Sequence, residues 1–299
     1  MYVGISVLMP KYKHIIILLN LFKRRFHMRK TMWKKGLSVA MAAAMLAGPV
    51  NVPAVFHNVA IVKADEATGL TREKYIELKK KMLKSVYKNG GFYIGKYETG
   101  YETGIEAKPR TSGSATITPN ELPIIKQNAY PYNYVTCSQA QKLANMMESG
   151  SYNTSLMFGV QWDLVLKHLE NKGVKQSLLR NDSKTWGNYS NNLWSSTNAD
   201  SKYAITGQDW VIGPYGEKKV NGDILLSTGA SDTFSKYGIY DLAGNVWEWT
   251  LEYTSNETNP CSLRGGAYND RISNNSASYR YYYYTTNYSI NIGFRTALY

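Results

Sequence analysis

The chain has 299 residues, 43% hydrophobic and 19% charged, which is long enough for one large domain or two small ones and too apolar for a disordered chain. Its formal charge of +13 is misleading, because residues 1–64 hold ten Lys and Arg and no Asp or Glu, leaving 25 basic against 22 acidic residues elsewhere. Without a clustered basic stripe, the class of nucleic-acid binders that neutralise phosphates is excluded.

The first 64 residues read as a leader. From Met28 a positive stretch (Arg29, Lys30, Lys34, Lys35) precedes an apolar run from Leu37 to Val50 and a small-residue site at Val62 to Ala64, the order of a secretory signal. Cleavage after Ala64 is expected, giving a secreted or cell-surface protein with no membrane segment beyond the signal. Residues 1–27 lie upstream, and their apolar run is too short for a bilayer, which takes about 20 residues. They point to a start codon placed too early. An uncleaved signal anchor is the competing reading, although Gly48, Pro49 and Pro53 interrupt the run.

After the leader, Thr71 caps an amphipathic helix over 71–88 with Ile76, Leu78, Met82, Leu83 and Val86 as its apolar positions. Asn89, Gly90 and Gly91 end it, and Phe92 to Glu98 reads as a short strand. Residues 105–135 are punctuated by Pro109, Pro119, Pro123 and Pro131 and read as loop. A helix is predicted from Thr136 or Ser138 to Glu148, burying Ala140, Leu143, Ala144 and Met147. Another is predicted from Val160 to Lys172, with Trp162, Val165, Leu166 and Leu169 inside and Gly173 at its end. Residues 180–235 are rich in Asn, Ser, Thr, Gly and Asp with scattered aromatics, a long loop region that needs pinning to a core. The organisation is therefore a leader over 1–64, a helical segment over 65–90 and a single domain over 91–299.

Cys137 and Cys261 both follow the leader, and an even count in an exported chain favours a disulfide; two buried free thiols are the alternative. The only histidine after the leader, His168, lies in a helical pattern beside Leu166 and Leu169 and reads as a packing or surface residue.

Three ordered motifs carry the family signal: Gly238 to Thr250 (GIYDLAGNVWEWT), Arg264 to Tyr268 (RGGAY) and Ile292 to Arg295 (IGFR). Together they resemble the formylglycine-generating enzyme (sulfatase-modifying factor) domain. Phe92 to Glu98 is similar to its first strand, Met157 to Asp163 to its helix start, and Trp186 to Asn188 to its Trp-Gly loop. The resemblance implies an α+β, C-type-lectin-like fold, loop-rich with small irregular antiparallel sheets and two main helices.

Asp241 and Glu248 flank a tight turn at Ala243, Gly244 and Asn245, and hard oxygen ligands in such a loop suit Ca²⁺. The resemblance sharpens this expectation, implying a structural calcium held by the side chains of Asp241 and Glu248 and the carbonyls of Gly244 and Val246. The alternative is a turn whose carboxylates accept from backbone amides. Catalysis departs from the family, whose copper is held by two thiolates after the Arg-Gly-Gly motif. Those positions are Asp270 and Asn275 here, and Ala267 replaces the serine. Soft copper(I) needs thiolates, so no copper is expected and the chain is read as a non-catalytic binder.

Residues 268–291 contain seven Tyr, five Asn and four Ser. Tyr supplies rigid amphipathic contact area, and Ser and Asn supply adaptable hydrogen bonds. The ligand-contacting set expected here is Tyr268, Asn269, Asp270, Arg271, Asn274, Asn275, Tyr279, Arg280, Tyr281, Tyr282, Tyr283, Tyr284, Asn287, Tyr288 and Asn291. A hairpin whose tyrosines are half-buried strand formers, alternating in and out over 281–284, is compatible with the same residues. The bias also resembles the variable region of proteins diversified by retroelements in bacteria and phages, which end in a Gly-Phe-Arg strand. A cell-surface or phage protein or glycan is then the expected ligand. The alternatives are an oxidase with a rearranged centre and a calcium-dependent glycan-binding lectin.

Overall fold

The computed structural model describes residues 1–7, 68–102, 121–147, 150, 152–256, 259–271 and 276–299. Residues 8–67, which hold most of the expected leader over 1–64 and its cleavage site, lie outside them, as do Asn274 and Asn275. Among the described residues no helix is long and apolar enough to cross a membrane.

The domain is α+β. Helix α1 (Arg72–Asn89) starts at Thr71, whose hydroxyl accepts from the Lys74 amide, and stops at Gly90 with φ 71°. Met82 and Val86 are buried, whereas Ile76 faces solvent, so the apolar stripe is narrower than expected. Helix α2 (Cys137–Asn145) opens with a reciprocal cap, the Thr136 hydroxyl accepting from the Gln139 amide and the Gln139 side chain accepting from the Thr136 amide. It buries Ala140, Leu143 and Ala144 and leaves Met147, beyond its end, half-buried. Helix α3 (Gly159–Asn171) buries Trp162, Val165, Leu166 and Leu169 as its periodicity requires. A short helix α4 (Gln176–Arg180) follows.

Two four-stranded sheets organise the rest. The first comprises β1 (Tyr2–Ser6), β2 (Gly91–Gly95), β3 (Thr154–Leu156) and the C-terminal β8 (Thr296–Leu298), in the order β1-β2-β8-β3 with every neighbour antiparallel. The second comprises β4 (Trp247–Tyr253), β5 (Cys261–Arg264), β6 (Arg280–Tyr283) and β7 (Ile292–Phe294), in the order β6-β5-β4-β7. Here β4 and β7 run parallel, with Trp247 opposite Ile292, a departure from purely antiparallel pairing. Arg295 is the one residue between β7 and β8, so the chain passes from one sheet to the other through it.

The N-terminal strand packs Ile5 into the main core, 1% exposed. Cleavage after Ala64 would remove β1 and leave β2 as the sheet edge. The long Asn-rich region contains short strands at 194–196, 202–205, 211–212, 216–218 and 224–226. They enclose a satellite core of Trp194, Ile224, Leu226, Ala230 and Phe234.

Trp162 on α3 is fully buried, and its indole N–H donates to the Ala277 carbonyl at 2.8 Å, joining the helix to the tyrosine-rich segment. Replacing it with Ala removes both the packing and that donor. We expect Trp162→Ala to lose about 3–5 kcal/mol of stability in urea denaturation; a loss below about 1 kcal/mol would show that α3 does not anchor this segment.

Candidate functional site

The expected calcium residues are gathered in one turn. Asp241 (φ 55°), Gly244 (φ 75°) and Asn245 (φ 61°) adopt the left-handed conformation that Gly, Asn and Asp tolerate best. At Gly244 a Cβ would stand 2.1 Å from the Asn188 carbonyl oxygen, so only glycine fits. The turn brings Asp241 and Glu248 close to Glu98, a carboxylate that the sequence reading placed only at the end of a strand. All three are buried, and so is Arg295.

The partners of these groups are specific. Arg295 donates through Nε to both Glu248 oxygens at 3.1 Å and through Nη2 to Oε1 at 2.7 Å. Its other bonds reach the Gly95 carbonyl at 2.9 Å and the Tyr240 carbonyl at 2.8 Å. Asp241 Oδ2 accepts from the Gly229 amide at 2.6 Å. Glu98 accepts from the Asn245 side chain at 2.7 Å and from the Val246 amide at 3.2 Å.

Three carboxylates against one guanidinium leave excess negative charge in a site without water's screening. Burial, reinforced by Asp241 and Glu248, pushes Glu98 well above the usual carboxylate range. Burial also pushes Asp241 up to about 7, against the Gly229 amide and Arg295. Burial raises Glu248 too, although Arg295 opposes it. Burial would lower Arg295, but Glu248, Glu98 and Asp241 raise it, so it stays charged.

A calcium ion takes six to eight oxygens. Here both Glu248 oxygens face a guanidinium, and the other carboxylates accept from N–H groups. Among the described residues no group of three or more His, Cys, Asp or Glu could hold a metal ion. This donor set does not fit calcium, because the ion would meet the Arg295 charge directly. Arg295 supplies the positive charge that the turn requires.

The tyrosine-rich segment is held by its backbone and displays its side chains. Arg264 donates to the Ser278 carbonyl at 2.8 Å, and the Ala277 amide donates to the Ser183 hydroxyl at 2.8 Å. The Cys137 amide donates to the Thr285 carbonyl, the Tyr134 amide to Ser289 and the Asn133 side chain to Ile290. Between these points Tyr281, Tyr282, Tyr284 and Tyr288 are 40%, 53%, 54% and 39% exposed. Tyr281 packs on Trp247 at 5.6 Å between ring centroids and lies nearly parallel to Tyr282 at 6.0 Å.

Strict alternation over 281–284 fails, because β6 is an edge strand whose first three residues are all exposed. Arg271 is exposed, Asn269, Asp270, Tyr279, Tyr283, Asn287 and Asn291 are half-buried, and Tyr268 is fully buried with its hydroxyl on Thr206 at 2.9 Å. Tyr268 is therefore a core residue and is withdrawn from the contact set. Arg280 is half-exposed but committed. It donates to Glu252 at 2.6 Å and pairs with Asp163, which also pairs with the buried Arg264 at 2.5 Å. Arg280 thus fastens β6 to α3 and β4 instead of standing free.

Asp270, at the first position of the family's thiolate pair, accepts from the Ala267 amide at 2.9 Å. Burial pushes it up to about 6, opposed by that amide and by the Trp247 side chain. Cys137 and Cys261 are both buried free thiols. Sequence reading missed Glu98, the Asp163–Glu252 pair and Lys218, a buried lysine donating to the Tyr189 and Ser190 carbonyls, whose burial lowers it to about 8. A charged residue in or beside an apolar strand segment was the only sequence signal, and Glu98 and Glu252 offered it, whereas Asp163 and Lys218 did not.

The family model described as the sulfatase-modifying factor enzyme 1-like domain matches residues 79–299. No curated protein matches the chain. Among solved structures, Treponema denticola variable protein 1 is similar at 15% identity and a TM-score of 0.41, covering 70% of this chain and 84% of its own. The crystal structure of CarF is similar at 15% identity and a TM-score of 0.38, covering 69% and 85%.

Two expectations follow from the site. Removing one partner of a buried ion pair strands the others, so Arg295→Leu is expected to cost about 3–5 kcal/mol in urea denaturation, whereas Tyr282→Ala and Tyr284→Ala each change stability by no more than about 0.5 kcal/mol. The thermal midpoint of the wild-type protein is expected to be the same in calcium and in excess chelator. A midpoint that rises with calcium would show that the turn opens and Arg295 gives way to the ion.

Proposed function

The chain belongs to the sulfatase-modifying factor enzyme 1-like domain family, and from that premise we propose that it is an exported, non-catalytic binding protein whose ligand surface is the exposed tyrosine face of residues 279–288. The carrying observation is the division of labour in this segment: its backbone is bonded to buried carbonyls, amides and side chains, while four tyrosines project from it. Such a surface binds without the cost of ordering a loop.

The reaction chemistry of the resembled enzymes has no residue-level support here. The position of the first thiolate holds Asp270, a hard and hydrogen-bonded oxygen donor, where copper(I) asks for soft sulfur. Export is inferred from the leader alone. The ligand class is a protein or glycan on another cell or phage, chosen because tyrosine rings and Asn amides make adaptable contacts with both.

The test uses a glycan array and a panel of intact bacterial cells probed with the purified protein. Tyr281→Ala/Tyr282→Ala and Tyr283→Ala/Tyr284→Ala are expected to weaken the signal at least ~10-fold at an unchanged melting midpoint. Unchanged binding by both pairs would refute the assignment of this face. Sequencing the gene across a population of the source organism gives an independent check. Substitutions confined to adenine positions within codons 268–291 are expected of a diversified surface; a uniform sequence would indicate one fixed ligand. The N-terminus of protein recovered from culture medium is expected at Asp65.

A further inference from the structure

The N-terminal strand takes no part in the surface described above, but it is seated deep in the fold. β1 pairs with β2 along its whole length, from Tyr2 opposite Gly95 to Ser6 opposite Gly91. The ladder runs past both ends, where the Lys96 amide donates to the Met1 carbonyl at 3.1 Å and the Val7 amide to the Gly90 carbonyl at 2.7 Å. Ile5 is buried in the main core, and Val3, on the same face of the strand, packs against it. Cleavage after Ala64 and a later start codon both take β1 away from the exported protein. The seat stays behind.

That seat is shaped for a strand. A Cβ on Gly91 would stand 2.0 Å from the Ile5 carbonyl oxygen, so glycine there lets a second backbone approach closely. Phe92 and Ile94 turn to the core with Met82 and Val86 of α1. Without β1, the outer edge of β2 is a row of unpaired amides and carbonyls beside an apolar slot.

What the seat accepts from β1 sets the chemistry of its occupant. Val3 and Ile5 are β-branched and apolar, whereas Gly4 between them lies against the Tyr93 ring, 3.2 Å from where a Cβ would stand. Tyr2 fits less well, since its buried hydroxyl finds no hydrogen-bond partner among the described residues. A second copy fits worse than a bare peptide: α3 already lies against β1, and β2 of another molecule would bring its own α1 to the same side.

We propose that the outer edge of β2 is a strand-receiving groove, which in the exported protein takes an extended segment of another polypeptide. The segment runs antiparallel to β2 and carries two β-branched apolar residues with one small residue between them. That the groove is open rests on the export reading above; its shape rests on the β1 ladder. Main-chain hydrogen bonds supply affinity, and the slots of Val3 and Ile5 supply selectivity.

The probe is a labelled synthetic peptide of residues 1–7 (MYVGISV). It is titrated into protein recovered from culture medium, into the wild-type full chain, and into the full chain carrying Val3→Asp/Ile5→Asp, which unseats its own strand. Saturable binding is expected for the first and third; the wild-type full chain is expected to bind none, because its tethered strand outcompetes the peptide. An Ile5→Asp peptide, or Gly91→Val in the protein at an unchanged circular dichroism spectrum, is expected to weaken binding at least ~10-fold. Amide exchange over residues 91–95 is expected to slow when the peptide is added. Recovered protein that begins at Asp65, has a native spectrum and binds no peptide would overturn the proposal, and this readout needs no variant. A dimer in light scattering that the peptide dissolves would overturn the choice of a foreign strand in favour of a second copy. Protein retained in cells with Met1 intact, together with peptide binding by the Val3→Asp/Ile5→Asp chain, would overturn the export reading and leave the groove standing.

Discussion

Arg295 faces three carboxylates in the interior, and the two sheets are joined through that arrangement. It sits between β7 and β8, so its side chain reaches Glu248 on β4 while its remaining protons reach the carbonyls of Gly95 and Tyr240. A buried guanidinium is tolerable only when its desolvation is offset by good geometry and by partners for its N–H groups. Both conditions are met, and the turn over 241–246 follows from them. Its left-handed residues turn Asp241 and Asn245 inward, and Asn245 then links Glu98 to the Leu226 backbone of the satellite strands. Charge balance also bears on protonation, since one cation cannot hold three carboxylates ionised together, and burial beside Asp241 and Glu248 raises Glu98 well above the usual carboxylate range.

A second charged network does the corresponding work at the surface. Asp163 and Glu252 come from α3 and β4, and they hold Arg264 of β5 and Arg280 of β6. The half-exposed Arg280–Asp163 pair contributes little stability singly, whereas Arg264 is buried. The effect of the network is positional, because it fixes the edge strand that carries the tyrosines against elements that do not depend on tyrosine side chains. Arg280 has the composition of a binding anchor and the geometry of a tether, which only its partners could reveal.

The helices were legible from the sequence because local chemistry sets them. Thr71 and Thr136 act as caps, and the Trp162, Val165, Leu166 and Leu169 spacing puts one face of α3 inside. What was not legible depends on distant partners. Residues 2–6 become a strand only because β2 offers an edge, and the short strands of 194–226 exist because they pair with one another and enclose Trp194 and Phe234. The parallel β4–β7 pair is a choice of register between segments more than 30 residues apart, with no local signature. The turn at Asp241 to Glu248 was found as a motif, but that Glu248 faces the Arg295 guanidinium was not, because the sequence shows ligand-type residues and hides which cation they face.

The same division explains which positions of the displayed segment can change without harm. Tyr268, Ala277 and Ile290 are buried, so a substitution there leaves a cavity or forces an overpacked neighbour. Tyr282 and Tyr284 lose little on replacement because most of each ring is already in water. The anchoring bonds at 277, 278, 285, 289 and 290 run through backbone carbonyls and amides, which every substitution other than to or from proline preserves. A binding surface built this way can alter its chemistry at the exposed tyrosines while its shape stays fixed, since apart from the Arg280 tether the bonds that hold it run through backbone atoms common to all residues.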